Sequence, residues 1–199
     1  MSVPETRAGG PRRGVLLVIS GPSGVGKSSV VRALTERMEF HFSVSWTTRD
    51  RRPGERDGID YVYVDRAAFE DAIAEGGFLE WAEYSGHLYG TPRQAVLAQV
   101  DRGNDVLLDI ENDGAGQVKR SYPDAVLVFI LPPSLEELER RLRDRGDTSE
   151  RDIEKRLAVA ADQIREAEWK FDHRVTNSEV TAVADEIVSI LASADGRPL

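Results

Sequence analysis

Short apolar runs recur along the chain, each closed by glycine, proline or an acid. The stretches between them place apolar residues three or four positions apart. GVLLVIS (14–20) is rich in Val and Leu and stops at Gly21-Pro22; DVLLDIE (105–111), AVLVFIL (125–131) and HRVTN (173–177) follow. Runs this short, apolar on both alternations, predict strands buried on both faces. Helical spacing appears from Lys27 to about Met38, with Val30, Val31 and Leu34 on one stripe. In SLEELERRLRDRG the stripe is Leu135, Leu138 and Leu142, and Ser134 with Glu137 forms a capping box. Residues 149–170 carry Ile153, Leu157, Ala160 and Ile164, and a last helix from about Thr181 uses Val183, Ile187 and Ile190. Strands alternating with helices predict a three-layer α/β fold around a parallel sheet.

Residues 43–92 break this rhythm. SVSWTTRDRRPGERDGIDYVYV mixes polar turns, alternating strand-like pieces and arginines, and a short helix near 66–75 turns Phe69 and Ile73 inward. The segment reads as an α+β lobe inserted into a core made of 14–42 and 93–199. Residues 1–13 carry no apolar periodicity and are expected to be a disordered extension. No internal repeat or interdomain linker is visible.

Composition narrows the function classes. With 40% hydrophobic and 31% charged residues, the 199-residue chain resembles a soluble globular protein. A net charge of −9 argues against gripping nucleic acid or an anionic membrane. The absence of cysteine excludes disulfides, thiolate metal sites and a thiol nucleophile, and suits a reducing cytoplasm. No run is long enough to span a bilayer, and MSVPETRAGGPRR has no apolar segment behind it, so it is no signal peptide.

Candidate chemistry begins at Gly21-x4-Gly26-Lys27-Ser28, the full phosphate-loop pattern between a predicted strand and a predicted helix. The glycines let backbone N–H groups turn toward a phosphate, and the helix start adds its positive end. Lys27 neutralises charge between the β- and γ-phosphates, and the Ser28 hydroxyl suits Mg²⁺. DVLLDIEND ends a predicted strand in acids, placing Asp109 and Glu111 on one side, where they can orient Mg²⁺ directly or through water. ATP is the expected donor. Arg49, Arg51 and Arg52 cluster in a chain that is acidic overall, and arginine forks match a phosphate in bidentate geometry. A solvated charge run is the competing reading of that cluster.

Five stretches, GPSGVGKSS, FSVSWTTRDRRPGERDGIDY, FLEWAEYSGHLYGTP, LLDIENDGA and ILPPS, occur in the order and spacing of guanylate kinases. The likeness runs from about residue 15 to 177, and the second and third stretches are highly specific to that family. This resemblance implies a P-loop kinase core with a GMP-binding lobe and a small helical lid over 144–157. It implies ATP contacts from Gly21, Pro22, Ser23, Gly24, Val25, Gly26, Lys27, Ser28 and Ser29, with Arg141 and Arg145. It implies a GMP site of Ser45, Arg49, Arg52, Tyr61, Glu80, Tyr89, Thr91, Asp109 and Glu111. Arg49, Arg52, Tyr61 and Tyr89 would hold the 5′-phosphate, Glu80 would read the base, and Ser45 and Thr91 would donate to guanine O6 or N7. The implied catalytic charges are Lys27, Arg49, Arg145 and Arg156. Mg²⁺ would sit near Ser28 and Asp109, and dGMP is expected as a further acceptor.

Several residues keep two readings. Thr91, before Pro92, fits a helix cap as well as a base contact. Arg141 fits a salt-bridged helix face as well as an ATP contact. The chain also departs from the family pattern at Glu111, usually Asp, at Asp113, often Gln, and at Trp46, usually small. Two rivals remain, one from another class and one a related kinase. One is a non-catalytic interaction module binding a phosphorylated partner, for which Lys27 and Ser28 would be superfluous. The other is a kinase for a phosphorylated sugar, for which Glu80 would be.

Overall fold

The computed structural model describes residues 13–144 and 149–194. The apolar runs become four strands of a five-stranded sheet, β1 (Leu16–Ser20), β7 (Val106–Asp109), β8 (Val126–Leu131) and β9 (His173–Thr176), with β9 at one edge. With the two-residue β2 (His41–Phe42) at the other edge, the order is β2-β7-β1-β8-β9, every pairing parallel. Alternation along β1 splits its side chains between two cores. Leu17 and Ile19 face one cluster, while Leu16 and Val18 face the other.

Helices cover both faces, so the core has three layers. The Leu17 face is roofed by α1 (Lys27–Thr35), α5 (Leu135–Asp144), the first half of α6 (Glu150–Lys170) and α7 (Val180–Ala194). The Leu16 face is roofed by α3 (Arg93–Asp101), α4 (Asn112–Ser121) and the end of α6. Leu138 and Leu142 are fully buried, each contributing about 1.5–3 kcal/mol. Leu135 is 42% exposed, because it opens the helix instead of lying on its buried stripe. The capping box is half formed. The Glu137 N–H donates to Ser134 Oγ at 3.1 Å, but its carboxylate turns to Arg140 and Arg141. Those two guanidinium groups hold its pKa down to about 2. Ser149 caps α6 by accepting from the Asp152 N–H, and Ile153 is rooted in the core.

The inserted segment forms a separate four-stranded sheet, ordered β4 (Val62–Tyr63), β3 (Trp46–Thr47), β6 (His87–Pro92) and β5 (Phe78–Tyr84). Across it lies α2 (Arg66–Ala74), capped by Asp65, which accepts from the Ala68 N–H at 2.8 Å. Phe69 stacks on Phe78 with centroids 4.4 Å apart, and Trp46 meets Phe78 edge-on. A Cβ on Gly90 would lie 2.8 Å from the Phe78 ring, so glycine is needed for the stack to reach the sheet. Trp46 thus has a packing role the sequence does not disclose. It also lines a cavity of about 850 Å³ between the lobe and α3 that holds none of the expected site residues.

Arg13, read as part of the extension, donates to Asp101 at 2.6 Å, and the Gly14 N–H bonds the Val100 carbonyl. Residues 1–12 and Arg145 lie outside the described residues. No helix among the described residues is long and apolar enough to cross a membrane.

Candidate active site

The loop between β1 and α1 is shaped by two glycines that other residues could not replace without strain. Gly24 and Gly26 have φ of 87° and 101°, in the left-handed region. A Cβ would meet Leu142 at 2.8 Å from Gly24, and Asn177 Nδ2 at 2.7 Å from Gly26. The buried Asn177 side chain donates to the Val25 carbonyl at 2.7 Å. Arg141 donates to that same oxygen at 3.1 Å and to the Asn177 carbonyl at 3.1 Å. Two donors therefore hold Val25 C=O outward, and the trans peptide points the Gly26 N–H away from them. Among the described residues, the N–H groups of Gly24, Gly26, Lys27 and Ser28 find no backbone acceptor. Such convergent donors at a helix start form an anion-binding hollow.

Lys27 bridges this loop, donating from Nζ to the Gly21 carbonyl at 2.7 Å. Its charge acts on Asp109, at the end of β7. Partial burial of the Asp109 carboxyl raises its pKa, Lys27 opposes that rise, and Glu111 adds to it. Ser28 is exposed, with no hydrogen bond from its hydroxyl to the described residues. The expectation that Asp109 and Glu111 share one side of a strand fails. The strand ends at Asp109, and Glu111 is the N-cap of α4, where Gln163 donates to it at 3.2 Å. Glu111 lines the cavity beside the lobe; Asp109 does not.

That cavity, about 530 Å³, has Ser45, Tyr61, Glu80, Tyr89 and Glu111 on its walls. Glu80 sits where β5 carries a bulge, opposite Thr91 on β6. Thr91 is buried, lies behind the wall, and donates from Oγ1 to Glu80 Oε1 at 2.5 Å. It does not cap α3, whose N-cap is Pro92. The other carboxylate oxygen faces Gly114 on α4, where a Cβ would approach within 3.0 Å. Burial raises the Glu80 pKa, and the Thr91 hydrogen bonds work against that rise. The result is an acceptor held at one oxygen and clear at the other.

Beside this cavity, Arg49 lies over the rings of Tyr61 and Tyr63, 5.6 and 6.0 Å from their centroids. It donates to Glu55 at 2.8 Å and to the Asp50 carbonyl at 2.7 Å, and Glu55 raises its pKa. Arg52 points its side chain into solvent while its N–H bonds Glu55. Arg156 is exposed on α6, with no hydrogen bond or ion pair among the described residues. The structure thus gathers Ser45, Arg49, Tyr61, Glu80, Tyr89 and Glu111 with Thr91 behind them. Arg141 belongs to the phosphate loop's support, and Arg156 stands apart.

Sequence reasoning assigned no role to Glu55, Tyr63, Asn177 or Gly114. Glu55 and Tyr63 had local signals: an acid in an arginine-rich turn, and a tyrosine two residues from Tyr61 on the same strand side. Asn177 and Gly114 had none, since each acts on a residue distant in the chain.

A family model described as guanylate kinase matches residues 13–194. A guanylate kinase of Thermus thermophilus is 52% identical over 91% of this chain and 82% of its own length. One from Thermobifida fusca is 48% identical over 95% of this chain and 96% of its own. A crystal structure of guanylate kinase from Anaplasma phagocytophilum superposes with a TM-score of 0.68 at 36% identity, covering 92% of this chain and 87% of that one. A match spanning nearly every described residue, on a phosphate loop and an anchored acidic cavity of this geometry, means that the chain belongs to the guanylate kinase family.

Proposed function

We infer that the chain transfers the γ-phosphoryl group of ATP to GMP, giving ADP and GDP. The observation that carries this reading is Glu80, anchored by Thr91 in a cavity of nucleobase size beside a phosphate loop with unused N–H donors. Guanine presents two adjacent donors, N1–H and the 2-amino group, to one carboxylate. Adenine presents a lone pair at N1, which a carboxylate repels.

A GMP phosphate oxygen forms the new bond to the γ-phosphorus, and the β–γ bridging oxygen leaves with ADP. That nucleophile is already anionic, so no general base or covalent intermediate is required. The protein aligns the two phosphates and cancels charge. Lys27 and the loop N–H groups hold the donor, Arg49 and Arg52 the acceptor, and Arg145 and Arg156 supply further charge. Among the described residues no group of three or more His, Cys, Asp or Glu is placed to hold a metal ion. One hydroxyl and one carboxylate, Ser28 and Asp109, fit Mg²⁺ carried mainly by nucleotide phosphates and water. Bound there, the ion would neutralise charge on the transferring group. ATP and GMP are cytoplasmic metabolites, and we place the enzyme with them.

A coupled assay of ATP with GMP, dGMP, AMP, CMP and UMP tests this directly. GMP should exceed AMP by roughly 10⁴-fold in kcat/KM, the scale of a hydrogen-bonded site facing the wrong partner. Comparable use of AMP would remove the role given to Glu80, and no turnover with any acceptor would favour the interaction-module reading.

The lobe joins the core through residues 43–45 and at Pro92–Arg93, where β6 runs into α3, and a swing about these junctions toward the phosphate loop is the closure proposed here. Solution scattering should show a smaller radius of gyration with a bisubstrate analogue than without ligand. An unchanged radius would count against transfer by closure.

A further inference from the structure

We propose that Glu55 is a positioning residue for the acceptor phosphate, fixing the Arg49 side chain and the Arg52 backbone through one carboxylate. This rests on the reading of Arg49 and Arg52 as phosphate ligands. Oε1 accepts from Arg49 Nη2 at 2.8 Å, while Oε2 accepts from the Arg52 N–H at 2.7 Å and the Tyr63 hydroxyl at 2.8 Å. Both side chains are largely enclosed, Arg49 at 11% and Glu55 at 21% exposure. Arg49, and then the Arg52 N–H, hold the Glu55 pKa down to about 2, so it stays ionised.

A free arginine samples many rotamers, and a phosphate must order it on binding. Here Glu55 grips one edge of the guanidinium, the Asp50 carbonyl takes another donor, and two tyrosine rings flank its face. The remaining donors are held in a fixed plane, as bidentate phosphate recognition requires. The Tyr63 hydroxyl fixes Glu55 in turn from β4, so the sheet sets the arginine's position.

Charge alone predicts the opposite sign. A carboxylate this close to a bound phosphate repels it, and a group that merely occupied Arg49 would weaken GMP binding. The sign of the mutational effect therefore decides. Glu55→Gln should raise the GMP Kd by roughly ten- to a hundredfold, the worth of one charge-assisted hydrogen bond. Tyr63→Phe should shift it the same way by less. The ATP KM should not move, and guanosine, which lacks the phosphate, should bind both variants as it binds the parent.

Calorimetric titration with GMP and with guanosine, on variants with thermal midpoints near the parent's, reads this out. Unchanged or tighter GMP binding in Glu55→Gln overturns the proposal, as does an equal loss of guanosine affinity. Arg49→Ala separates the two levels. If it weakens GMP binding while Glu55→Gln does not, only the positioning role falls. If neither does, the arginine cluster is not the phosphate site.

Discussion

Lys27→Met should lower kcat by roughly three orders of magnitude, since it removes a fixed charge from a site where charge develops during transfer. Methionine keeps an unbranched side chain one atom shorter and loses the bond from Nζ to the Gly21 carbonyl. The loop should nevertheless hold its shape, because Asn177 and Arg141 restrain it from the other side at Val25. The thermal midpoint should therefore change little while turnover collapses. Measuring kcat alongside the midpoint separates the two effects. A folded variant with most of its kcat would mean that the donor is not held at this loop.

Glu80→Gln should reduce kcat/KM for GMP by about one to two orders of magnitude, the value of one hydrogen bond to a charged group. Thr91 donates to one oxygen of Glu80, so the amide can keep its carbonyl there and turn its NH₂ toward the base. That NH₂ repels guanine donors and can donate to adenine N1. AMP use should fall far less, and the GMP-to-AMP ratio isolates base reading from general damage. An unchanged ratio would remove Glu80 from the base site.

The same carboxyl has a pH signature. Its pKa is raised by burial, so kcat/KM for GMP should decline with acid at a higher pH than an ordinary glutamate would give. Glu80→Gln should abolish that limb. The sign for stability is opposite. A raised folded-state pKa favours the protonated form, so the stabilising contribution is full below the unfolded pKa and is lost as pH rises through the folded one. Burial thus disfavours the charged form of Glu80 in the folded protein, and Glu80→Gln should melt no lower than the parent.

Much of the core was legible because parallel strands buried on both faces read as uninterrupted apolar runs, as β1 and β8 do. The edge strand β2 was not, since two exposed residues carry no pattern. Nor was α4, whose NDGAGQVKRS contains two glycines that each disfavour a helix by about 1 kcal/mol. Packing of Ala115 and Val118 against the sheet outweighs that preference. The site was legible where function lies in short local strings, such as the phosphate loop and the Arg49 cluster. Its supports were less so. Glu111 left the strand because the chain enters α4 at that residue, and the bond from the Thr91 hydroxyl to Glu80 joins neighbouring strands eleven residues apart in the chain. Gly114, on α4, matters through a carboxylate carried by β5 of the other sheet.

The tie between Asn177 and Val25 spans most of the chain, and it bears on how the enzyme is made. As the ribosome delivers residues in order, the phosphate loop emerges early while its anchors at Arg141 and Asn177 come much later. The neighbours of β1 in the sheet, β7 and β8, also arrive long after it. The hydrogen bonds that brace the phosphate loop at Val25 are therefore complete only once residue 177, just beyond β9, has been made and β9 has paired with β8.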